Sequence, residues 1–328
     1  MSAQPETRPP LRIAFFGTPT VAVPSLEHLL RSRHVLAGVV TQPDRPRGRG
    51  QRPSDAPIKQ VANRERLPLL QPEGLHDAAV VETLRDWRID LGVVAAYGKI
   101  LPQTLLEVPR FGMINVHASL LPKYRGAAPI QRAVMAGETE TGITIIRLVR
   151  ELDAGPMLGT ATRRITPDET AEEIESDLAL LGAALLMSVI DDIAAGTAQE
   201  IPQESTHASY APRLSKAEGL IDWTQPARRI HDQIRGLHPW PHAFTYLGGV
   251  RYIILESRLV EPIQSDVPRW QQAHAGDILD AEGDHLTVKA GDAAVAILTI
   301  QPEGRRPLGV RDFLAGHPLR PGQSFGSP

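Results

Sequence analysis

The 328-residue sequence contains no cysteine. Disulfide bonds, thiolate nucleophiles and cysteine-ligated zinc sites are therefore excluded, and the composition suits a reducing compartment. Long uninterrupted apolar runs are also lacking, since a run such as Leu91–Ala96 is far shorter than the roughly 20 residues that cross a bilayer. The opening stretch, MSAQPETRPP, has no apolar segment of the kind found in a secretory signal. These absences predict a cytoplasmic protein without membrane contact.

An excess of positive charge is missing as well. The 35 Lys and Arg residues stand against 38 Asp and Glu residues, a net charge of −3, so the whole molecule does not indicate a nucleic-acid partner. Between Gln42 and Arg66, however, seven basic residues accompany three acidic ones. The loop TQPDRPRGRGQR, with Arg45, Arg47 and Arg49, is either a solvated loop or an arm that contacts phosphates.

Apolar runs alternate with amphipathic stretches in the N-terminal half of the chain. These runs cover residues 11–16, 35–41, 91–97, 113–116 and 143–148. The alternation predicts an open α/β sheet. Because ligands of such a sheet lie beyond the carboxyl ends of its strands, Tyr97, Gly98 and His117 are expected near a ligand.

Residues 196–212 form a polar segment without periodicity, which is predicted to be a linker. The pattern of apolar residues differs on its two sides. Beyond it, short β-like stretches are separated by Gly, Asp and Pro, which is typical of a small antiparallel barrel or sandwich. We therefore expect two domains, residues 1–204 and residues 205–328.

Asn115 and His117 lie two residues apart in the β-like run INVHASLLP. Because successive side chains of a strand alternate between its faces, both would leave the same face. A single histidine is more often a packed or surface residue, but here Asp153 follows a predicted strand and can return to the same sheet edge. An aspartate can orient an imidazole, and an asparagine can donate to a developing oxyanion.

Several other catalytic patterns do not occur in the sequence. There is no serine in a nucleophile elbow and no H-E-x-x-H zinc motif, so direct transfer to a nucleophile is favoured and no metal is expected. The stretch FFGTP lacks the further glycines and the lysine of nucleotide-binding loops, and it predicts a sharp strand-to-helix turn. In HPWPH, His238 and His242 are interpreted as structural, with Trp240 as a core anchor.

The stretch INVHASLLPKYRGAAPIQ, followed by LDAGPM, resembles the signature of the enzymes that transfer a formyl group from 10-formyltetrahydrofolate. The resemblance implies that Asn115, His117 and Asp153 form the catalytic set. It implies that 10-formyltetrahydrofolate is the formyl-donor substrate. The folate-binding surface would consist of Ser119, Leu120, Leu121, Pro122, Tyr97 and Gly98.

Four further stretches, FFGTP, TQPDRPRGRG, YAPRLSKAEGLIDW and HPWP, resemble the methionyl-tRNA formyltransferases within that superfamily. This resemblance covers nearly the whole chain and implies a Rossmann-like N-terminal domain followed by an OB-like β-barrel. The barrel would contact initiator methionyl-tRNA, and the loop with Arg45, Arg47 and Arg49 would reach the acceptor arm. Arg45 matches the family arginine most closely tied to that role. We expect a monomer.

Two positions depart from the family pattern. Glu151 stands where a glycine is usual, and Leu148 stands where a methionine is common. Glu151 adds a negative charge near the expected tRNA path. Three alternatives stay open: a formyltransferase that acts on a small amine, a formyltetrahydrofolate hydrolase, and a non-catalytic RNA-binding protein.

Overall fold

The computed structural model describes residues 10–44, 46–47, 52–53, 55–261 and 267–327. The chain divides into two compact units. The first unit consists of Met1–Ala127, Thr141–Arg163 and Glu175–Ala211, and the second of Ala128–Glu140, Arg164–Ile174 and Pro212–Pro328. Each unit therefore takes pieces from more than one part of the sequence.

The secondary structure alternates in the first unit and is mostly β in the second. The strands of the first unit are β1 (Arg12–Gly17), β2 (Val35–Val40), β3 (Pro46–Arg47), β4 (Arg52–Pro53), β5 (Leu69–Leu70), β6 (Leu91–Ala95), β7 (Met113–His117), β8 (Arg125–Gly126), β9 (Glu140–Arg147), β10 (Met157–Arg164) and β11 (Tyr210–Ala211). The strands of the second unit are β12 (Ala243–Leu247), β13 (Val250–Val260), β14 (Ile278–Glu282), β15 (His285–Lys289), β16 (Ala294–Pro302) and β17 (Leu308–Gly309).

The helices are spread over the whole chain. They are α1 (Val23–Leu30), α2 (Pro57–Arg64), α3 (Ala78–Asp86), α4 (Gln103–Leu106), α5 (Pro129–Met135), α6 (Ala171–Ala195), α7 (Ala227–Gly236), α8 (Val267–Gln272) and α9 (Val310–Gly316). Short 3₁₀ turns occur at Thr20–Ala22, Ser205–His207 and Lys216–Gly219. Helix α5 comes from the N-terminal half of the sequence but belongs to the second unit.

The first unit contains a seven-stranded sheet with the order β10-β9-β7-β6-β1-β2-β5. The pairs β1–β2, β1–β6, β6–β7 and β2–β5 are parallel, whereas β7 and β9 are antiparallel. The predicted open α/β sheet is thus confirmed, as a mixed rather than a purely parallel sheet. Strand β10, which the sequence analysis did not predict, forms one edge of it.

The central strands are apolar on both faces, as strands buried between helices require. Residues 13–16 of β1 are fully buried. The strand ends at Gly17, where a Cβ atom would lie 2.7 Å from the Phe15 ring and 3.0 Å from the carbonyl oxygen of Ala95. Only glycine fits this approach, and the chain turns from there into Thr20–Ala22 and α1.

The carboxyl ends of β1, β6 and β7 meet at one edge of the sheet. The register pairs Gly17 with Ala95, Ala95 with Val116, and His117 with Thr144 of β9. The chain order reverses between β1 and β6, because β2 and β5 lie on one side and β6 and β7 on the other. Ligands of open α/β sheets bind at such a reversal, so this edge is the place for a site.

By its length and apolar composition alone, helix α6 could cross a membrane. The sequence pattern predicts a long helix over about residues 168–195, and the structure confirms it. The core helix of a soluble protein can have the same length and apolar composition. Leu186 and Ile190 are fully buried, and a Cβ atom at Gly182 would lie 2.9 Å from Val116 and 3.4 Å from Ile143. We therefore interpret α6 as a core helix that packs on the sheet.

The second unit is built on an antiparallel sheet with the order β12-β13-β16-β15-β14, and β17 pairs with β16. The predicted antiparallel C-terminal domain is confirmed, but among the described residues the strand path stays open and no closed barrel is seen. Its core joins the inner face of the sheet to Ile230 and Ile234 of α7, Phe313 of α9 and the ring of Trp223. Trp240 does not join this core; it is 52% exposed, so the prediction that it anchors a core is wrong.

Gly38 in β2 gives a direct test of packing in the first unit. A Cβ atom there would overlap the ring of Trp87, which follows α3. We expect Gly38→Ala to lower the free energy of unfolding by about 1–3 kcal/mol in urea denaturation, because a packed core resists added volume. Gly74→Ala is the control, since a Cβ atom there meets nothing within 4 Å. Equal stability of the two variants would contradict the packing argument.

Candidate active site

His117, the last residue of β7, has a buried side chain whose two ring nitrogens face different partners. Nε2 donates to the carbonyl oxygen of Tyr124 at 3.0 Å. Nδ1 lies 3.7 Å from Oδ2 of Asp153. Because a carbonyl oxygen only accepts, the Tyr124 contact requires a hydrogen on Nε2, and it turns Nδ1 towards Asp153. The imidazole is therefore held in one orientation beside a carboxylate.

Asp153 lies in the turn between β9 and β10 and is buried. Its φ of 49° is in the left-handed region, which aspartate adopts more readily than most residues. Oδ2 accepts a hydrogen bond from the backbone N–H of Gly126 at 2.9 Å. His117 and Asp153 thus lie close together, as expected, but not because both strands end at one edge. Strand β9 ends at Arg147, opposite Ile114 near the start of β7, so the turn that carries Asp153 folds back to reach His117.

Asn115 is two residues before His117 in the same strand, so both side chains leave the same face of the sheet. The Asn115 side chain is partly buried, and its amide makes no hydrogen bond with the part of the chain that the structure describes. An amide in this position can donate to a ligand without breaking an internal contact.

The loop Ser119–Pro122 is rigidly held by a residue that the sequence analysis missed. The buried Thr144 hydroxyl donates to the carbonyl oxygen of Ser119 at 2.7 Å and accepts from the N–H of Leu121 at 3.1 Å. The hydroxyl of Ser119 donates to the carbonyl oxygen of Lys123 at 2.7 Å. Thr144 lies in an ordinary strand pattern, so no local signal in the sequence marks it.

Tyr97 and Gly98 follow β6 at the same edge. The phenol ring of Tyr97 is buried edge-to-face on Phe16, with ring centroids 5.7 Å apart, and burial raises the pKa of its hydroxyl to about 12. The carbonyl oxygen of Tyr97 accepts from Nε2 of Gln42 at 2.6 Å. Gly98 has a φ of 81°, and a Cβ atom there would lie 2.8 Å from that nitrogen. Gln42, which the sequence analysis did not single out, therefore packs closely against this turn.

Residues 196–212, predicted as a linker, pack against the site instead. Gln203 donates to the carbonyl oxygens of Asp153 and Gly155 and accepts from the guanidinium of Arg125. Strand β11 in the same segment pairs with β8. Arg125 lies within the stretch INVHASLLPKYRGAAPIQ that carries the family resemblance, but Gln203 has no sequence signal of its own, since an isolated glutamine in a polar stretch is typical of a solvated loop.

The structure describes only part of the loop that contains Arg45, Arg47 and Arg49. Arg45 and Arg49 lie outside the described residues, and Arg47 ends β3, which pairs with β4. At the base of this loop Lys59 forms ion pairs with Asp44 and with Asp55, and its ammonium group lowers the pKa of Asp44.

A metal site was not expected, and the described residues include no group of three or more His, Asp or Glu side chains that could hold a metal ion. In HPWPH, Nε2 of His238 lies 3.2 Å from Oε2 of Glu172. The rings of His238 and His242 pack edge-to-face, with their centroids 5.3 Å apart. The pKa of His242 is lowered mainly by burial and, to a smaller extent, by electrostatic repulsion from His238.

Family models match both halves of the chain. The model of the formyl transferase family matches residues 11–190, and the model of the formyl transferase C-terminal domain matches residues 213–318. The methionyl-tRNA formyltransferase of Moorella thermoacetica is 42% identical over 96% of this chain and 99% of its own length. The enzyme of the same description from Heliobacterium modesticaldum is 44% identical over 96% of this chain and 100% of its own length.

The chain belongs to the methionyl-tRNA formyltransferase family.

Solved structures outside this family share the fold. The N-formyltransferase from Helicobacter canadensis, solved in complex with folinic acid and dTDP-3-aminofucose, superimposes with a TM-score of 0.64 at 17% identity, covering 89% of this chain and 99% of that chain. Asn115, His117 and Asp153 all fall inside the region matched by the formyl transferase model, whereas Gln203 falls between the two matched regions.

The buried Tyr97 hydroxyl, which has no hydrogen-bond partner in the described structure, makes a pH-dependent prediction. An unfolded tyrosine titrates near pH 10 and the folded one near pH 12, so the folded state favours the neutral phenol. This stabilisation is complete below about pH 10 and is lost as the pH rises towards about 12, by roughly 2–3 kcal/mol in total.

We therefore expect Tyr97→Phe to leave stability at neutral pH almost unchanged, because no internal hydrogen bond is lost. Above pH 10 the variant should become more stable than the wild type. Urea denaturation at a series of pH values measures the difference. A large loss of stability at neutral pH would mean that the hydroxyl has a partner.

Proposed function

We propose that this protein transfers the formyl group of 10-formyltetrahydrofolate to the α-amine of methionine on initiator methionyl-tRNA. The product, N-formylmethionyl-tRNA, serves translation initiation. The observation that carries the chemistry is the buried pair of His117 Nδ1 and Asp153 Oδ2, 3.7 Å apart, with Asn115 on the same strand face as His117. The acceptor is inferred from relatives named methionyl-tRNA formyltransferase that match 96% of the chain.

The reaction joins the neutral amine nitrogen to the formyl carbon while the carbonyl oxygen takes up the electron pair. The bond between this carbon and N10 of the folate then breaks, and the proton of the amine passes to N10. Asn115 donates its amide N–H to the oxyanion. His117, which Tyr124 orients through its Nε2–H, stabilises the oxyanion together with Asn115 through the positive charge that its ring carries when both nitrogens hold a proton. Asp153 stabilises that charge and assists the transfer of the proton.

The donor would bind at the sheet edge, against Ser119, Leu120, Leu121 and Pro122 on one side and Tyr97 and Gly98 on the other. The rigidity of both walls supports this assignment. Thr144 braces the first wall through two backbone groups, and Gln42 braces the second. A preformed pocket loses little conformational entropy when a flexible ligand is ordered in it.

The acceptor tRNA would contact the loop with Arg45, Arg47 and Arg49 and the C-terminal domain. We assign donor binding, chemistry and the arginine loop to residues 1–204, and the remaining tRNA contact to residues 205–328. The eleven-residue strand β13, which pairs with both β12 and β16 and shifts register near Glu256, supports an OB-like class for the second domain. A cytoplasmic monomer fits this role.

Incubation with 10-formyltetrahydrofolate and methionyl initiator tRNA tests the function directly. We expect formylmethionyl-tRNA to form, with a methionyl elongator tRNA as a much poorer acceptor. Formylation of free sugar amines in preference to tRNA would instead identify a small-amine transferase. Formate release without any acceptor would identify a hydrolase.

Asn115→Ala should lower kcat about 10²–10³-fold, the usual effect of removing one oxyanion donor. The KM values for both substrates should change little, since the amide acts on charge that develops in the transition state. Asn63→Ala is the matched control, because Asn63 is exposed on α2. Steady-state kinetics measure both variants, and a wild-type kcat for Asn115→Ala would remove this residue from the mechanism.

Arg45→Ala should raise the KM for methionyl-tRNA and leave the KM for the folate donor unchanged, because an arginine–phosphate contact concerns the tRNA alone. The salt dependence of tRNA binding should also become shallower. Arg85→Ala on α3 is the control, since the Arg85 side chain is 62% exposed and pairs with Glu82. Identical salt slopes for wild type and Arg45→Ala would contradict the phosphate contact.

A further inference from the structure

The Gln203 side chain uses its whole hydrogen-bonding capacity at the candidate active site. Its Nε2 donates to the carbonyl oxygen of Asp153 at 2.8 Å and to that of Gly155 at 2.7 Å. Its Oε1 accepts from Nε of Arg125 at 3.1 Å and from an η nitrogen of the same guanidinium at 2.7 Å. A carboxamide has two N–H donors and two acceptor lone pairs, so all four are engaged.

The backbone that Gln203 holds is the turn that carries Asp153. The backbone conformation of this turn is unusual at two residues. Asp153 has a φ of 49°, and a Cβ atom at Gly155 would overlap the carbonyl oxygen of Arg147. Left-handed residues persist only where the surroundings enforce them. Two hydrogen bonds from one amide to the carbonyl oxygens on either side of Ala154 provide that enforcement.

The side chain of Asp153 is held by the same group of contacts. Its Oδ2 accepts from the N–H of Gly126, the residue next to Arg125. Strand β8, which consists of Arg125 and Gly126, pairs with β11 in the segment that also contains Gln203. Backbone and carboxylate of Asp153 are therefore both anchored to residues 203–211, and a shift of this segment would change the 3.7 Å separation from His117.

Arg125 explains why a glutamine suits this position. The Arg125 side chain is buried, and within the described residues its guanidinium bonds to the neutral Oε1 of Gln203 and to no carboxylate within 4.0 Å. A glutamate would satisfy Arg125 with a stronger bond but would turn an oxygen towards the two carbonyl oxygens. Only the amide both accepts from Arg125 and donates to the turn.

We propose that Gln203 is a positioning residue for the reaction: it fixes the Asp153–Gly155 turn so that the Asp153 carboxylate stays beside His117. The proposal rests on the proposed formyl transfer. It assigns a role in that reaction to the segment between the two regions that the family models match, which end at residue 190 and begin at residue 213. The Nε2 group of Gln203 performs this positioning, since it bonds to the turn whereas Oε1 bonds to Arg125.

The test compares Gln203→Met, Gln203→Glu and the control Gln199→Met in the full-length protein. Gln199→Met is the same change in the same segment at an exposed residue. We expect Gln203→Met to lower kcat about 10²-fold, the scale for misplacing a reacting group by about 1 Å. The KM values for both substrates should stay within about threefold of wild type, because neither binding surface is altered. Gln203→Glu should lose as much activity as Gln203→Met, although it keeps the bond to Arg125.

Assays run well below the thermal midpoint of each variant separate positioning from stability. A wild-type kcat for folded Gln203→Met overturns the proposal, and so does a wild-type kcat for Gln203→Glu, which would place the role in the Arg125 contact. Failure of both variants to fold would assign Gln203 to folding alone and also overturn it. If the wild type itself does not formylate methionyl-tRNA, the proposed function fails, independently of any variant.

Discussion

The hydrogen bond from the Gly126 N–H to Oδ2 of Asp153 is the contact on which the rest of the site depends. It joins the loop after β7 to the turn after β9, and it directs the carboxylate towards the imidazole of His117. Without it, Asp153 would be an acidic residue in a surface turn. The bond requires that both backbone segments be fixed, and most of the surrounding polar contacts serve that purpose.

The backbone is held by polar side chains that each bond to more than one group. Thr144 accepts from one backbone group and donates to another in the Ser119–Pro122 loop, and Gln203 holds the Asp153 turn while it accepts from Arg125. Such groups are costly to bury unless every donor and acceptor is paired, so a loss of one partner affects several bonds. The result is a preorganised site, which is what stabilisation of a developing charge requires.

The sheet explains why the site lies where it does. Parallel strands β1, β6 and β7 end at one edge, whereas the antiparallel β9 starts near that edge and runs away from it. The turn after β9 folds back and so brings Asp153 to His117. The sequence patterns predicted the apolar strands and their alternation with helices, but not the direction of β9 or the existence of β10, because both depend on pairing with distant strands. The exposure of Trp240 was also wrongly predicted, since aromatic content alone does not tell which ring finds a partner.

The sequence by itself determined that Asn115 and His117 share a face, because the two-residue period of a strand is a local property. It also predicted the α/β and antiparallel halves and the family, from motifs that are continuous along the chain. Only the tertiary structure decided that Arg125 and Gln203, separated by 77 other residues, hold the turn of Asp153. The contact between them has no local pattern, because Gln203 looks like an ordinary polar residue until the fold places it beside Arg125.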